Sequence, residues 1–112
     1  MSTNVKAIRA YVQPYSIARL TQRLLEIKDF PGMSVWDCEG FGREKSTSGQ
    51  DYVPFYAKKC IEIFAPATLV EEIVRAIIQI AHSGQHGDGK IYIEEVQEGI
   101  RLSTLERGAN IA

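Results

Sequence analysis

The sequence predicts an α+β domain in which four strands and two helices follow one another in the order βαββαβ, giving one antiparallel sheet with both helices on the same face. Three observations carry this. Two stretches repeat apolar residues at helical spacing: Ile17, Leu20, Leu24 and Ile27, then Leu69, Ile73, Ile77 and Ile80. Four shorter stretches lean toward strand and are bounded by proline, glycine or polar runs. The chain, 112 residues with 45% hydrophobic and 24% charged, has the size and balance of a single globular domain small enough for a partner subunit to contribute to its core.

In chain order, residues 5–12 form the first strand, closed by Pro14. Ser16 stands where it can cap the first helix. Pro31 and Gly32 turn the chain into a second strand over 33–41, whose apolar residues fall on both parities: Met33, Val35 and Phe41 on one, Trp36 and Cys38 on the other. Residues 40–57 break the pattern with the polar run EKSTSGQD and Pro54, and read as an exposed loop. The third strand covers 59–64. Thr68 with Glu71 three residues later makes a capping box at the head of the second helix. A glycine-rich loop leads to the fourth strand, 90–96, where Ile91 and Ile93 oppose Tyr92 and Val96. The last residues, RLSTLERGANIA, lack periodicity and read as an irregular tail. Apolar side chains on both parities leave the helix-free sheet face to be buried in an oligomer, or by the tail folding back.

A net charge of −1 supplies no field to attract nucleic acid or an anionic membrane, so neither is expected as a partner. The N-terminal MSTNVKAIRA has no apolar signal core, and no run approaches the roughly 18 apolar residues of a membrane span. The expectation is a cytoplasmic protein without membrane insertion. Cys38 and Cys60 are too few and too far apart for a disulfide scaffold or a CxxC knuckle, and with His82 and His86 they have no ligand spacing, so no metal site is expected. No nucleophile–base or carboxylate pair is placed by the sequence, which disfavours an enzyme.

The stretch HSGQHGDGK, residues 82–90, has Gly84, four residues, then Gly89 and Lys90, close to the phosphate-cradling P-loop pattern. Ile91 stands where that pattern needs a hydroxyl, and the order here is helix, loop, strand instead of strand, loop, helix. It is not a P-loop. Its glycines still let backbone amides approach an anion, and Lys90 supplies countercharge.

With that loop placed, the sequence resembles the PII signal-transduction family over nearly its whole length. The resemblance rests on QPY before the first helix, FPGMSVWDCEGFGR through the second strand, KKCIEIFAP in the third, and SGQHGDGKIYI after the second helix. It implies a ferredoxin-like subunit, a homotrimer with an adenine nucleotide in each intersubunit cleft, and a loop at 44–57, the T-loop, that docks on a transporter, channel or enzyme. The single domain then runs 1–112, with the nucleotide loop at 82–90 and a C-terminal segment at 97–112.

Carried over by position, the resemblance implies that Gly40, Phe41, Gly42 and Arg43 form one side of the nucleotide cleft, with Arg43 on phosphate. Ser34 and Tyr11 line it, Glu62 and Phe64 flank the base, and Gly84, Gly87, Asp88, Gly89 and Lys90 make the anion-binding loop. Arg101 reaches phosphate in the neighbouring subunit. Read alone, these glycines are turn residues and the arginines solvated charges. The joint match reverses that reading.

Departures from the nitrogen-sensing members shape the expected ligands. Ser103, Thr104, Leu105 and Glu106 stand where the family usually reads Arg-Thr-Gly-Glu. Losing an arginine at 103 removes a charge-assisted contact of about 1.5–3 kcal/mol if it reached phosphate, so ADP or AMP is expected to be favoured over ATP. Glu44 replaces a glutamine that serves magnesium-ATP and 2-oxoglutarate, which leaves magnesium open and predicts weak or absent 2-oxoglutarate binding. Lys58 matches the lysine that pairs with 2-oxoglutarate, and Arg43 with Lys58 could host a small anion such as bicarbonate. The T-loop is shorter than usual and holds Tyr52 as the one candidate for modification. No bound cofactor is expected beyond regulatory ADP, AMP or ATP. The alternatives are a conventional nitrogen regulator sensing ATP and 2-oxoglutarate, and a nucleotide-independent trimer of the cation-tolerance type.

Overall fold

The four strands assemble in the order β2-β3-β1-β4, every pairing antiparallel, in a computed structural model that describes residues 4–41, 55–108 and 111–112. Strand β1 is Val5–Val12, β2 Ser34–Gly40, β3 Tyr56–Pro66 and β4 Gly89–Glu95. Helix α1, Ile17–Leu25, follows a short 3-10 turn at Pro14–Ser16, and α2 is Ala67–Ala81. This is the ferredoxin-like βαββαβ arrangement that the element order predicts.

Strand alternation sorts the side chains onto two faces. On one, Ile8, Ala10 and Val12 of β1 and Ile61, Ile63 and Ala65 of β3 meet Leu20 and Leu24 of α1 and Val70, Ile73, Ala76 and Ile77 of α2. All of these are buried, and Ile27 joins them just beyond α1. The helices touch side by side, and the Arg23 Nε donates to Gln79 Oε1 at 3.0 Å across their outer seam. Past the helices' reach the edges of this face pair charges directly across the sheet, Lys6 with Glu95 at 3.0 Å and Lys59 with Asp37.

Both expected helix caps are replaced by other devices. Ser16 has helical backbone angles and makes no side-chain cap; Pro14, which lacks an N–H to satisfy, opens the 3-10 turn that runs into α1. Strand β3 extends to Pro66 and passes straight into α2, so Thr68 lies inside the first turn, past the cap position, and no side-chain cap forms. The Ala67 amide, first of the helix, donates to the Asn4 carbonyl at 2.7 Å instead. The tail is also more ordered than expected: Ile100 and Arg107 form an antiparallel bridge, closed by Arg101 N to Glu106 O at 2.9 Å and Leu105 N to Arg101 O at 2.7 Å. Leu105 takes φ +63°, a left-handed conformation that costs a bulky residue about 1–2 kcal/mol.

The second sheet face carries no helix. It presents Trp36, Phe64 and Tyr92 at 43%, 44% and 49% exposure, so neither the helices nor the tail hairpin covers them. Val5, Ala7 and Cys60 are nevertheless buried at its centre.

Removing a core methyl cluster on the helix side should be costly. Ile8→Ala is expected to lower unfolding free energy by about 2–5 kcal/mol, while Ile78→Ala, half exposed on α2, should cost far less in the same urea titration.

Candidate functional site

The glycine loop is built by its flanks. Helix α2 ends as His82 leaves helical angles, Gly84 turns with φ +89°, a 3-10 turn spans His86–Asp88, and Gly89 enters β4 with φ +115°. Gly89 is the tightest of the described glycines: a Cβ there would stand 1.7 Å from the Tyr11 carbonyl oxygen. Only glycine satisfies both the angle and the approach of β4 to β1.

Asp88 holds the loop in shape. Its carboxylate accepts the Ser83 amide at 2.6 Å, the Gly84 amide at 2.8 Å and the Ser83 hydroxyl. The Ser83 hydroxyl first, then the amides of Ser83, Gly84 and Gln85, bring its pKa down to about 2. The first part of the amide nest therefore carries an internal anion, and Asp88 faces its own loop. Gly87 is fixed from the other side. Its carbonyl accepts Lys58 Nζ at 2.6 Å and the Gln13 side-chain amide, so β1, β3 and the loop converge on one oxygen. Gln13 and Ser83 lie inside the quoted QPY and SGQHGDGKIYI motifs but are not among the residues the sequence assigns to the site.

Across the uncovered sheet face, Tyr11 of β1 lies opposite Lys90 on one side and Cys60 on the other, with its ring edge-on to Tyr92 at 6.4 Å. Burial pushes the Cys60 thiol up, and Tyr11 is raised first by Cys60, whose ionisation would set a like charge beside it. Both stay neutral at ordinary pH. Further along the face, Arg9 donates to Glu62 at 2.8 Å and to Glu94 at 2.8 Å, tying β3, β1 and β4 together. The hydrogen bond that Arg9 donates to Glu62 is the main reason the guanidinium is held more firmly charged than usual. Glu62, expected beside a base, thus has its carboxylate engaged by Arg9.

The sequence-derived residues fall into separate sets. Tyr11, Lys58, Gly84, Gly87, Asp88, Gly89 and Lys90 gather at one end of the sheet, the end at which β2 finishes with Gly40 and Phe41. Ser34 pairs with Glu62, and Phe64 lies two residues beyond, so this second set begins roughly 13 Å along β3 from Lys58. Arg101 is on the tail hairpin. Gly42, Arg43 and Tyr52, and most of the expected T-loop, lie outside the described residues. Among the described residues no group of three His, Cys, Asp or Glu could hold a metal ion, and no helix is long and apolar enough to cross a membrane.

The sequence pattern of the family described as nitrogen regulatory protein P-II matches residues 5–106. A nitrogen regulatory protein P-II of Azospirillum brasilense is 36% identical over 111 residues, covering 95% of this chain and 98% of its own. Nitrogen regulatory protein P-II 1 of Escherichia coli is 36% identical over 107 residues, covering 91% and 95%. Among solved structures, Arabidopsis thaliana PII bound to citrate superposes with a TM-score of 0.75 at 36% identity, covering 93% of this chain and 88% of that one. The GlnK-ATP complex of B. subtilis shares the fold with a TM-score of 0.82 at 24% identity, covering 97% and 96%.

Two outcomes follow from the loop geometry. Asp88 has a folded pKa of about 2 against an ordinary 3.8, so its hold on the loop is complete above that ordinary value and lost as pH falls toward 2. Protection of the Ser83 and Gly84 amides, read as exchange relative to the intrinsic rate at each pH, should fall across that window in the native chain and be low throughout in Asp88→Asn. Gly89→Ala should destabilise the domain far more than Gly84→Ala, which meets an unfavourable φ but open space, as read by thermal unfolding.

Proposed function

This chain belongs to the nitrogen regulatory protein P-II family, and from that membership we propose that it is a signal-transduction regulator which binds an adenine nucleotide in clefts between copies of itself. In this reading three copies form a ring, ADP or AMP is favoured over ATP, and the loop at 44–57 carries the ligand state to a transporter, channel or enzyme. The protein acts by binding and not by turnover.

One observation carries the reading. The candidate nucleotide residues spread along one sheet face, from Lys58, Tyr11 and Lys90 at one end to Ser34, Glu62 and Phe64 farther along, with Arg101 on a third element. The described residues of one copy do not close a site around a ligand, whereas a cleft between copies would set the Lys90 end of one against the Ser34–Glu62–Phe64 end of the next. The exposed Trp36, Phe64 and Tyr92 on that same face support its burial by neighbours. Lys90 and the loop amides beyond Asp88 then face phosphate, and citrate on the Arabidopsis relative supports an anionic ligand within the family.

The preference for fewer phosphates rests on Ser103 in place of arginine. A small anion such as bicarbonate is the proposed second effector, held by Lys58 and Arg43. Because Lys58 Nζ already donates to Gly87 at 2.6 Å, an anion there must share or draw away that ammonium group. That same lysine also favours a second reading, ATP with 2-oxoglutarate, which the relatives' name as nitrogen regulators supports.

Calorimetry with AMP, ADP and ATP, each with and without magnesium, bicarbonate and 2-oxoglutarate, tests the choice. ADP or AMP should bind at least as tightly as ATP, without help from 2-oxoglutarate, and Lys90→Ala should weaken all three. ATP binding about tenfold tighter than ADP, or ATP-dependent 2-oxoglutarate binding, returns the protein to the conventional nitrogen-sensing reading.

A further inference from the structure

On the carbonyl oxygen of Gly87 two donors from outside the glycine loop meet. Lys58 Nζ of β3 donates at 2.6 Å, and the side-chain amide of Gln13, just past the end of β1, donates beside it. A carbonyl oxygen has two lone pairs, so neither bond excludes the other. Gly87 lacks a side chain here for reasons of space: a Cβ would stand 2.7 Å from Gln13 Nε2 and 4.0 Å from Lys58 Nζ. Gly87 is exposed, so water could also satisfy its oxygen. What the two donors supply is position.

The donors are not equivalent. The Lys58 ammonium is a charge on a flexible four-carbon stem, and an anion offers it a stronger, charge-assisted bond than a peptide carbonyl does. Gln13 is neutral and has no such rival. Its backbone is also fixed: Pro14 keeps it extended, at φ −66° and ψ 140°, and its carbonyl accepts the Ser16 amide at 3.0 Å. Lys58 is the donor that can leave, and Gln13 is the one that stays.

We propose that Gln13 is a positioning residue that fixes Gly87, and with it the 3-10 turn at His86–Asp88, whether or not Lys58 is in place. That turn leads directly into Gly89 and Lys90 at the start of β4. The two outside donors are redundant in holding the turn, so the loss of either alone is small and the loss of both is large. An anion that draws Lys58 away then binds without displacing the loop, and Gln13 keeps a small-anion site from opposing the nucleotide. This last consequence rests on the function proposed above; the tether itself does not.

Amide exchange in the full chain tests the redundancy. The probe is the Asp88 amide, which donates to the Gln85 carbonyl at 3.2 Å and so reports the turn. Its protection, read relative to the intrinsic rate, should fall less than about twofold in Lys58→Met and in Gln13→Met, and roughly tenfold in the double variant. Gln13→Lys combined with Lys58→Met returns one outside donor and should keep near-native protection. Either single variant losing as much as the double, or a double variant as protected as the native chain, overturns the proposal. Should the double fail to fold by circular dichroism, the Gln13→Lys combination decides instead: a roughly tenfold loss there overturns the tether, and near-native protection supports it. Calorimetry with ADP separates the tether from the function it would serve. The double variant should bind ADP about tenfold more weakly than Lys58→Met alone, and equal affinities overturn the link from tether to nucleotide. A native chain that binds no ADP removes the nucleotide reading and leaves the tether to stand or fall on the exchange result.

Discussion

Two helices can cover only one face of a four-stranded sheet, and most of what distinguishes this domain follows from the face they leave. The covered side is an ordinary aliphatic core, filled by Ile8, Ile61, Ile63, Leu20, Leu24, Ile73 and Ile77. The open side buries Cys60 and Ala7 at its centre, locks Arg9 between Glu62 and Glu94, and leaves three aromatic residues half in water. Replacing solvent there with a second copy removes apolar area at roughly 25 cal/mol per Å² and requires no change in the core. The same face carries most of the candidate ligand residues. In the proposed function, assembly and ligand binding would therefore draw on one surface.

The glycine loop meets an electrostatic constraint of its own. Amides aimed at one spot attract negative charge, and in a chain without ligand that demand falls on whatever acid is near. Asp88 answers it for Ser83 and Gly84, which holds the loop in shape; in the proposed function an external anion would be met by Lys90 and the later amides. Gly87, gripped through its carbonyl by Lys58 and Gln13, connects this loop to the strand that follows residues 44–55. A charge that competes for Lys58 would loosen one contact of that junction.

Much of this was legible because it depends on spacing. Period-2 parity gave both sheet faces, the three-and-four stripes gave both helices, and the glycines of 82–90 marked a loop that no side chain larger than hydrogen could thread at Gly89. What the sequence hid depends on through-space geometry. Thr68 and Glu71 satisfy a capping pattern, yet Asn4, more than sixty residues away, supplies the carbonyl at the helix start. Gln13 looks like a strand-end polar residue until the fold carries Gly87 to it. The tail looked irregular because a short hairpin needs only a handful of backbone bonds and no apolar period.

Leu105 shows how these levels combine. Its turn is set by backbone hydrogen bonds, its angle suits glycine, and its side chain stands in water. Local propensity and local burial both argue against leucine at this turn. The same logic applies to the open sheet face and to the divided ligand residues. Under the proposed assembly, the exposed aromatics and the divided ligand residues would both be met by the approach of another copy. A fold that is locally consistent nearly everywhere and inconsistent at these places has its remaining free energy to gain at an interface.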